Sequence, residues 1–237
     1  MRDVSEAGEE VVEYVPLRHY ILRHNKAIFW TLQDMIPEWL ANHVLFRLLL
    51  GWMVPPSVAL LKYTTFPEFR NLTFCKQVFQ DIVLPMTELE TALDYADELF
   101  GVMPVLIYPC RVFDYGAKGN GQMRSPRKEQ MVRKDSGMFF DLGVYGVPLA
   151  CKEKRRYDPV TPMRAMEQFI RDVGGYSFLY ADTFLTHDEL REMFDHTTYD
   201  KVRRAYKADG AFPELYDKIK PEVDVVAIGK QMADVII

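Results

Sequence analysis

Apolar residues follow two rhythms along this chain. Gln77 to Leu84, Val102 to Tyr108, Met138 to Tyr145 and Tyr176 to Phe184 are nearly continuous runs of β-branched, aromatic and aliphatic residues. Proline, glycine or polar residues bound each run, and that grammar predicts four strands. Two other stretches keep helical spacing: Leu89, Leu93, Ala96 and Phe100, then Met163, Met166, Phe169, Ile170 and Val173. The first predicted helix has Thr87 with Glu90 as a capping box and Gly101 beyond its end. The second has Thr161 as N-cap, Pro162 at the first helical position and Gly174 as its stop.

The order is β-α-β-β-α-β, with a long Gly- and Lys-rich loop from about Asp114 to Ser136. This predicts an α+β, ferredoxin-like domain: an antiparallel sheet with both helices on one face. Two short helices follow. Thr186 with Glu189 opens the first as a second capping box, and Asp209-Gly210 makes a turn. The expected organisation is an N-terminal segment over residues 1–70, a sheet domain over 71–219 and a tail over 220–237. In the N-terminal segment, Val11 to Tyr14 is strand-like and Pro16 breaks regularity. Ile28, Phe29, Leu32, Met35 and Ile36 recur at helical spacing until Pro37.

Side chains alternate across a strand, so each strand has a helix face and a second face. In the third strand Met138, Phe140, Leu142 and Val144 suit the helices. Phe139, Asp141, Gly143 and Tyr145 then point the other way. In the fourth, Leu179 and Ala181 suit the helices, and Tyr176, Phe178, Tyr180 and Asp182 point away. A sheet face of aromatics and carboxylates left in water would be sticky. It is either a site or is covered by a packing layer from the segment before Arg70. A carboxylate such as Asp182 in an apolar layer needs a partner or a role.

Two N-terminal features add chemistry. Arg18-His19-Tyr20 and Arg23-His24 concentrate polar groups, but His19 and His24 are five apart and fit no metal motif, so no metal site is expected. These residues are either ion-paired surface or donors to a bound group. His43 to Leu61 holds 13 apolar residues among 19. Arg47 and Pro55-Pro56 interrupt it, and a membrane span needs about 20 consecutive apolar residues. Trp39 and Trp52 suit an interfacial or substrate-channel segment, with a buried helix as the plainer option.

Composition narrows the classes. The chain has 237 residues, is 49% hydrophobic and carries a net charge of −5, enough to bury a core and unlike a general nucleic-acid binder. Arg124, Arg127, Lys128, Arg133 and Lys134, and again Lys152 to Arg156, read as two solvated basic loops. Cys75, Cys110 and Cys151 are scattered, as in a reducing compartment. Met1 to Glu10 are acidic and polar, unlike a secretory signal. There is no P-loop and no G-x-S-x-G, and Gly119-Asn120-Gly121 lacks the context of a dinucleotide fingerprint.

Longer strings are more specific: Glu13-Tyr14-Val15-Pro16-Leu17-Arg18-His19-Tyr20, Ile28-Phe29-Trp30, Gly51-Trp52-Met53-Val54-Pro55-Pro56, Gln80-Asp81, Asp141-Leu142-Gly143-Val144-Tyr145-Gly146, Leu179-Tyr180-Ala181-Asp182, Met193-Phe194-Asp195 and Gly210-Ala211-Phe212-Pro213-Glu214. Together they make positions 13 to 219 resemble the C-terminal half of the Δ24-sterol reductases, flavoproteins of the FAD-linked oxidase superfamily. The family's flavin-binding domain precedes this region and has no counterpart here.

The resemblance implies a sheet laid over a flavin ring. It also implies reduction of the C24–C25 double bond of desmosterol-like sterols with FAD and NADPH, at the cytosolic side of the endoplasmic reticulum membrane. The candidate proton donors are then Asp182, Tyr180, His19 and His24. Arg18, Arg23 and Asp141 are the candidates for the cofactor, and Phe139, Tyr145, Phe178 and Trp52 for the sterol. The chain taken alone is expected to be inactive and to retain no FAD. Two other readings stand beside this one: a flavin oxidase or synthase of another lipid, and a non-catalytic remnant.

Overall fold

The computed structural model describes residues 14–21, 43–49, 76–116, 121–180 and 183–220. The chain divides into two compact units, Met1–Phe66 and Pro67–Ile237. In the first, the described elements are short helices α1 (Leu17–Ile21) and α2 (Val44–Leu49). Leu17, Ile21, Val44, Leu45, Leu48 and Leu49 are all exposed. The predicted helix around Ile28 to Ile36 lies outside the described residues.

The second unit holds the sheet. Its strands are β1 (Val78–Pro85), β2 (Leu106–Phe113), β3 (Met131–Arg133), β4 (Ser136–Gly146) and β5 (Tyr176–Ser177). Helix α3 (Leu89–Phe100) joins β1 to β2. After β4 come the single turn α4 (Leu149–Lys152) and then α5 (Val160–Asp172), which leads to β5. The strands lie in the order β2-β4-β1-β5, with β3 also paired to β4. Every pairing is antiparallel. Each long helix thus steps over one intervening strand, which is the ferredoxin-like arrangement in an α+β domain. The helices α6 (His187–Met193), α7 (Thr197–Ala205) and α8 (Leu215–Ile219) follow.

One face of the sheet carries the core. Ile82, Leu84, Phe140, Leu142 and Val144 are completely buried, in one cluster with Ala92, Ala96 and Phe100 of α3 and Met163, Met166 and Ile170 of α5. The predicted alternation in β4 therefore holds at Phe140, Leu142 and Val144. Gly101 closes α3 in the left-handed region, as its position predicts, and the backbone turns there toward Leu149.

Local details differ from the sequence reading. The Thr87 capping box does not form: Met86–Glu88 make a 3₁₀ turn, and the Thr87 hydroxyl donates to Glu88 instead. Asp158, not Thr161, caps α5, accepting from the amides of Val160 and Thr161 and from the Thr161 hydroxyl. The second strand lies about one turn of sequence later than expected. Pro109 reads as a breaker, but β2 is the edge of the sheet, where a missing amide hydrogen costs little. The last strand is far shorter than Tyr176 to Phe184. Phe178 still donates its amide to the Asp81 backbone carbonyl, then Leu179 and Tyr180 turn away. Its apolar residues are explained by core packing of Leu179, Phe184 and Leu185, not by pairing. The Thr186–Glu189 capping box is present, reciprocal on both sides.

The basic loop is partly structural. Arg124 donates to the carbonyls of Arg191, Glu192 and Phe194 at the end of α6. Arg127 and Gln130 donate to the carbonyls of Asp172 and Val173 at the end of α5. Cations and donors at helix C-termini satisfy the last carbonyls and complement the dipole. Arg124 and Arg127 are exposed, as a solvated loop predicts, and also hold helix ends.

Candidate functional site

The second face of the sheet is built by register. Asp81 on β1 opposes Gly143 on β4, and Val83 opposes Asp141. Asp141 in turn opposes Tyr108 on β2, and Cys110 opposes Phe139. Phe79 opposes Tyr145, and their rings lie 6.3 Å apart. Asp81 and Asp141 are thus diagonal neighbours on one face, about 7–8 Å apart in such a ladder.

Gly143 is what lets them sit there. A Cβ at that position would come within 2.5 Å of the Tyr145 ring and 2.7 Å of Asp81 Oδ1. The glycine leaves the space that the Asp81 carboxyl and the Tyr145 ring occupy. Asp81 is only 4% exposed, and one oxygen of each carboxyl, Asp81 Oδ1 and Asp141 Oδ1, is buried with no hydrogen-bond partner. The Tyr145 hydroxyl serves Asp81 and lies 3.1 Å from the Tyr180 hydroxyl. Phe178 and Tyr180 stack with ring centres 5.9 Å apart, and both are open to solvent, as is Tyr108.

Electrostatics follows from that packing. Burial, and then the neighbouring Asp81 charge, push the Asp141 carboxyl up to about 6. Burial also raises Asp81, while the Tyr145 hydroxyl opposes the rise by bonding to its charged form. Burial and the two carboxylates hold the Tyr145 phenol above its ordinary range. The Cys110 thiol is pushed up to about 11 by burial and by Asp141, so it stays a thiol. The face therefore holds proton donors and acceptors but no cation among its described residues.

The two ends of this face differ. Around Phe139 and Tyr176 it is covered: Phe139 is 1% exposed, and Tyr176 packs on Phe194 and donates to the Arg124 carbonyl. Phe139 is a wall of the site at most, since its ring offers no open surface. Tyr176 belongs to the core, which settles for that residue the choice between site and packing layer. Around Tyr108, Asp141 and Tyr145 the face is more open.

A buried network fixes the chain just beyond Tyr180. Glu167 of α5 is 2% exposed and accepts from the Thr183 hydroxyl and the Phe184 amide at 3.0 and 2.7 Å. Arg164 grips Glu189 through two nitrogens, at 2.6 and 2.8 Å, and donates to the Phe184 carbonyl. Arg171 also reaches Glu189, whose carboxyl is held down at about 2, chiefly by Arg164. This scaffold anchors the segment after β5 at defined atoms.

Of the predicted site residues, the structure brings Asp141, Tyr145, Phe178 and Tyr180 together in the second unit. Arg18 and His19 lie exposed on α1 in the first unit. Asp182, Arg23, His24 and Trp52 lie outside the described residues. Sequence reasoning missed Asp81, Tyr108, Cys110 and the spacer Gly143. Asp81 had a signal: it is the lone carboxylate in an apolar strand, the same argument that singled out Asp182. A groove of about 760 Å³ between α3 and α5, lined by Glu90, Asp94, Glu98 and Asp172 with Tyr95 and Phe169, lies apart from these residues.

Fold and face together define an α+β domain whose second sheet face carries two neighbouring carboxyls beside exposed aromatic rings. Comparison with curated proteins gives the particular kind. Over 218 residues, 90% of its length, the chain is 37% identical to Delta(24)-sterol reductase of Homo sapiens. It is 36% identical over 219 residues to the Delta(24)-sterol reductase homolog dhcr-24 of Caenorhabditis elegans, and 30% identical over 214 residues to Delta(24)-sterol reductase of Arabidopsis thaliana. The chain is thus a relative of the Delta(24)-sterol reductases, as its residue strings predict, and matches their C-terminal portion. It spans 38% of the human protein's length and 39% of the worm protein's. No family model matches it, and no solved structure does.

Proposed function

We propose that this chain is the substrate-covering portion of an oxidoreductase that reduces the C24–C25 double bond of desmosterol-like sterols. The observation that carries this is the face of Asp81, Asp141 and Tyr145 beside the open rings of Phe178 and Tyr180. An isolated alkene has no carbonyl to polarise, so its reduction needs a proton donor in a place of low water content, next to a flat apolar surface. That face supplies both.

A flavin fits the same residues. The open, stacked Phe178 and Tyr180 rings suit a planar heteroaromatic ring, and a carboxyl oxygen lacking a partner suits an N–H donor. FAD when bound would supply hydride at the reacting alkene, and NADPH would be its source. Asp141 is the residue on this face that could hold the ring's polar edge. Arg18 and Arg23 are proposed as cofactor-binding residues on the resemblance alone. Tyr145 and Phe178 of this face are proposed to bound the sterol.

The reading extends to place. Among the described residues no helix is long and apolar enough to cross a membrane. Val44, Leu45, Leu48 and Leu49 of α2 are each more than half exposed, which supports an interfacial segment at the cytosolic side of the endoplasmic reticulum membrane, where sterol substrates partition.

The test is a chimera in which this chain replaces the corresponding portion of the human relative. A folded chimera loaded with flavin is expected to saturate the side chain of desmosterol with NADPH as donor. A flavin-loaded chimera that oxidises NADPH yet leaves the sterol unchanged would sink the reading.

A further inference from the structure

We infer that Asp141 is the proton donor of this face, with Asp81 and Tyr145 as positioning residues that keep the proton on it. The inference rests on the sterol-reductase reading and assigns a role to residues which that reading leaves open.

The argument is geometric. Two carboxyls lie diagonally on adjacent strands of one sheet face, and each has a buried oxygen without a partner. Two like charges in a partly dry layer disfavour double ionisation, so over a range of pH the pair keeps one proton. Tyr145 decides which member keeps it. Its hydroxyl bonds Asp81 and favours the charged form there, so the proton resides on Asp141. The other titratable groups facing Asp141 are Tyr108 and Cys110 of β2. Burial and Asp141 hold the Cys110 thiol up, and none of the described groups facing Asp141 is a cation that would draw the proton off. Asp141 is also the more open carboxyl of the two, so it is the one a bound molecule can reach. Its acidity near neutrality matches the work of a general acid.

The step balances simply. The alkene accepts a proton from Asp141 Oδ at one carbon and a hydride from a reduced flavin at the other, forming two C–H bonds as the π bond is lost. Asp141 is left as carboxylate and regains its proton from water. Hydride reaches the carbon that bears more cationic character, so protonation occurs at the less substituted one.

Two measurements test this. In the intact 237-residue chain, with aspartate side chains labelled with ¹³C, the signal missing from Asp141→Asn is expected to titrate near 6. In Asp81→Asn it is expected to fall toward the ordinary aspartate value of about 3.9. If Asp81→Asn does not fold, Tyr145→Phe gives a second reading: without the hydroxyl that favours the charged Asp81, the two carboxyls share the proton and the Asp141 signal is expected to fall. Two carboxyls that titrate in the ordinary range and ignore each other would overturn the inference.

In the chimera, Asp141→Asn is expected to slow sterol reduction by about 10²- to 10⁴-fold and to abolish the loss of rate as pH rises through 6. Flavin reduction by NADPH should fall by far less than sterol reduction does. If Asp182→Asn abolishes that limb and Asp141→Asn leaves it in place, the donor is Asp182 and the inference is wrong. An unsubstituted chimera that reduces no sterol would overturn the functional reading alone, because the titration does not depend on turnover.

Discussion

The two faces of β4 are made by alternate residues of one eleven-residue strand, yet they solve opposite problems. Phe140, Leu142 and Val144 are wholly buried against α3 and α5 and carry no polar group. One residue away, Asp141, Gly143 and Tyr145 face a layer where one oxygen of each of two carboxyls lacks a partner and a glycine is needed to make room. The first face is optimised for stability. The second leaves hydrogen-bonding capacity unspent, and unspent capacity in a half-dry layer costs stability wherever it occurs. A strand that keeps such a face has another use for it.

That contrast can be broken most forcefully from the core side. Leu142→Ala is expected to cost about 2–5 kcal/mol, because the completely buried side chain leaves a cavity between sheet and helices. Urea unfolding of the intact chain reads it as a lower midpoint. A cost well under 1 kcal/mol would mean that the helix face is not the main source of stability.

Next in size is the network that holds the chain after β5. Glu189→Gln is expected to cost about 1–3 kcal/mol at neutral pH, because Arg164 and Arg171 lose a shared charged acceptor. The sign with pH is defined: a carboxyl held below its ordinary value stabilises the fold above the unfolded pKa, about 4.3. That stability fades as pH falls toward 2. Parent and variant should therefore converge in thermal melts at low pH, and a constant gap would exclude the ion pair as the cause.

A smaller effect is expected at the spacer. The added Cβ of Gly143→Ala meets the Tyr145 ring, the Asp81 carboxyl and Leu106, the first two of which are side-chain ends that can move. Stability should fall by about 1 kcal/mol, near the lower end for overpacking, while the Asp141 titration shifts because Tyr145 and Asp81 part. Unchanged titration would show that Gly143 merely fits the strand.

The smallest stability effect has the opposite sign. Asp141 is raised in the fold, so its stability contribution is full below the unfolded value of about 3.9 and is lost as pH rises through 6. Asp141→Asn should therefore be more stable than the parent at pH 8, by roughly 1 kcal/mol after allowance for partial exposure, and equal to it near pH 4. A variant less stable at pH 8 would mean that the carboxylate makes a favourable contact in the fold.

Much of this architecture can be read from residue order. Strand and helix periods, Gly101 as a helix stop and the Thr186–Glu189 box depend on residues within a few positions of each other, and local chemistry is what sequence displays. The split β-α-β-β-α-β order, and with it the choice of Phe140, Leu142 and Val144 for the core, follows from those periods alone. The relationship to the sterol reductases was likewise carried by strings of residues rather than by any single physical rule.

Tertiary structure decided what depends on partners distant in sequence. Only register places Asp81 beside Asp141, 60 positions apart, and only the sheet shows that Gly143 is the space between Asp81 and Tyr145. The edge position of β2 makes Pro109 acceptable, and helix ends tens of residues away turn Arg124 and Arg127 from apparent surface charges into caps. The proton affinity of Asp141 belongs to the same category. Aspartate in a strand is visible in the sequence, but its acidity is set by burial and by a neighbouring charge, and both exist only once the strands have paired.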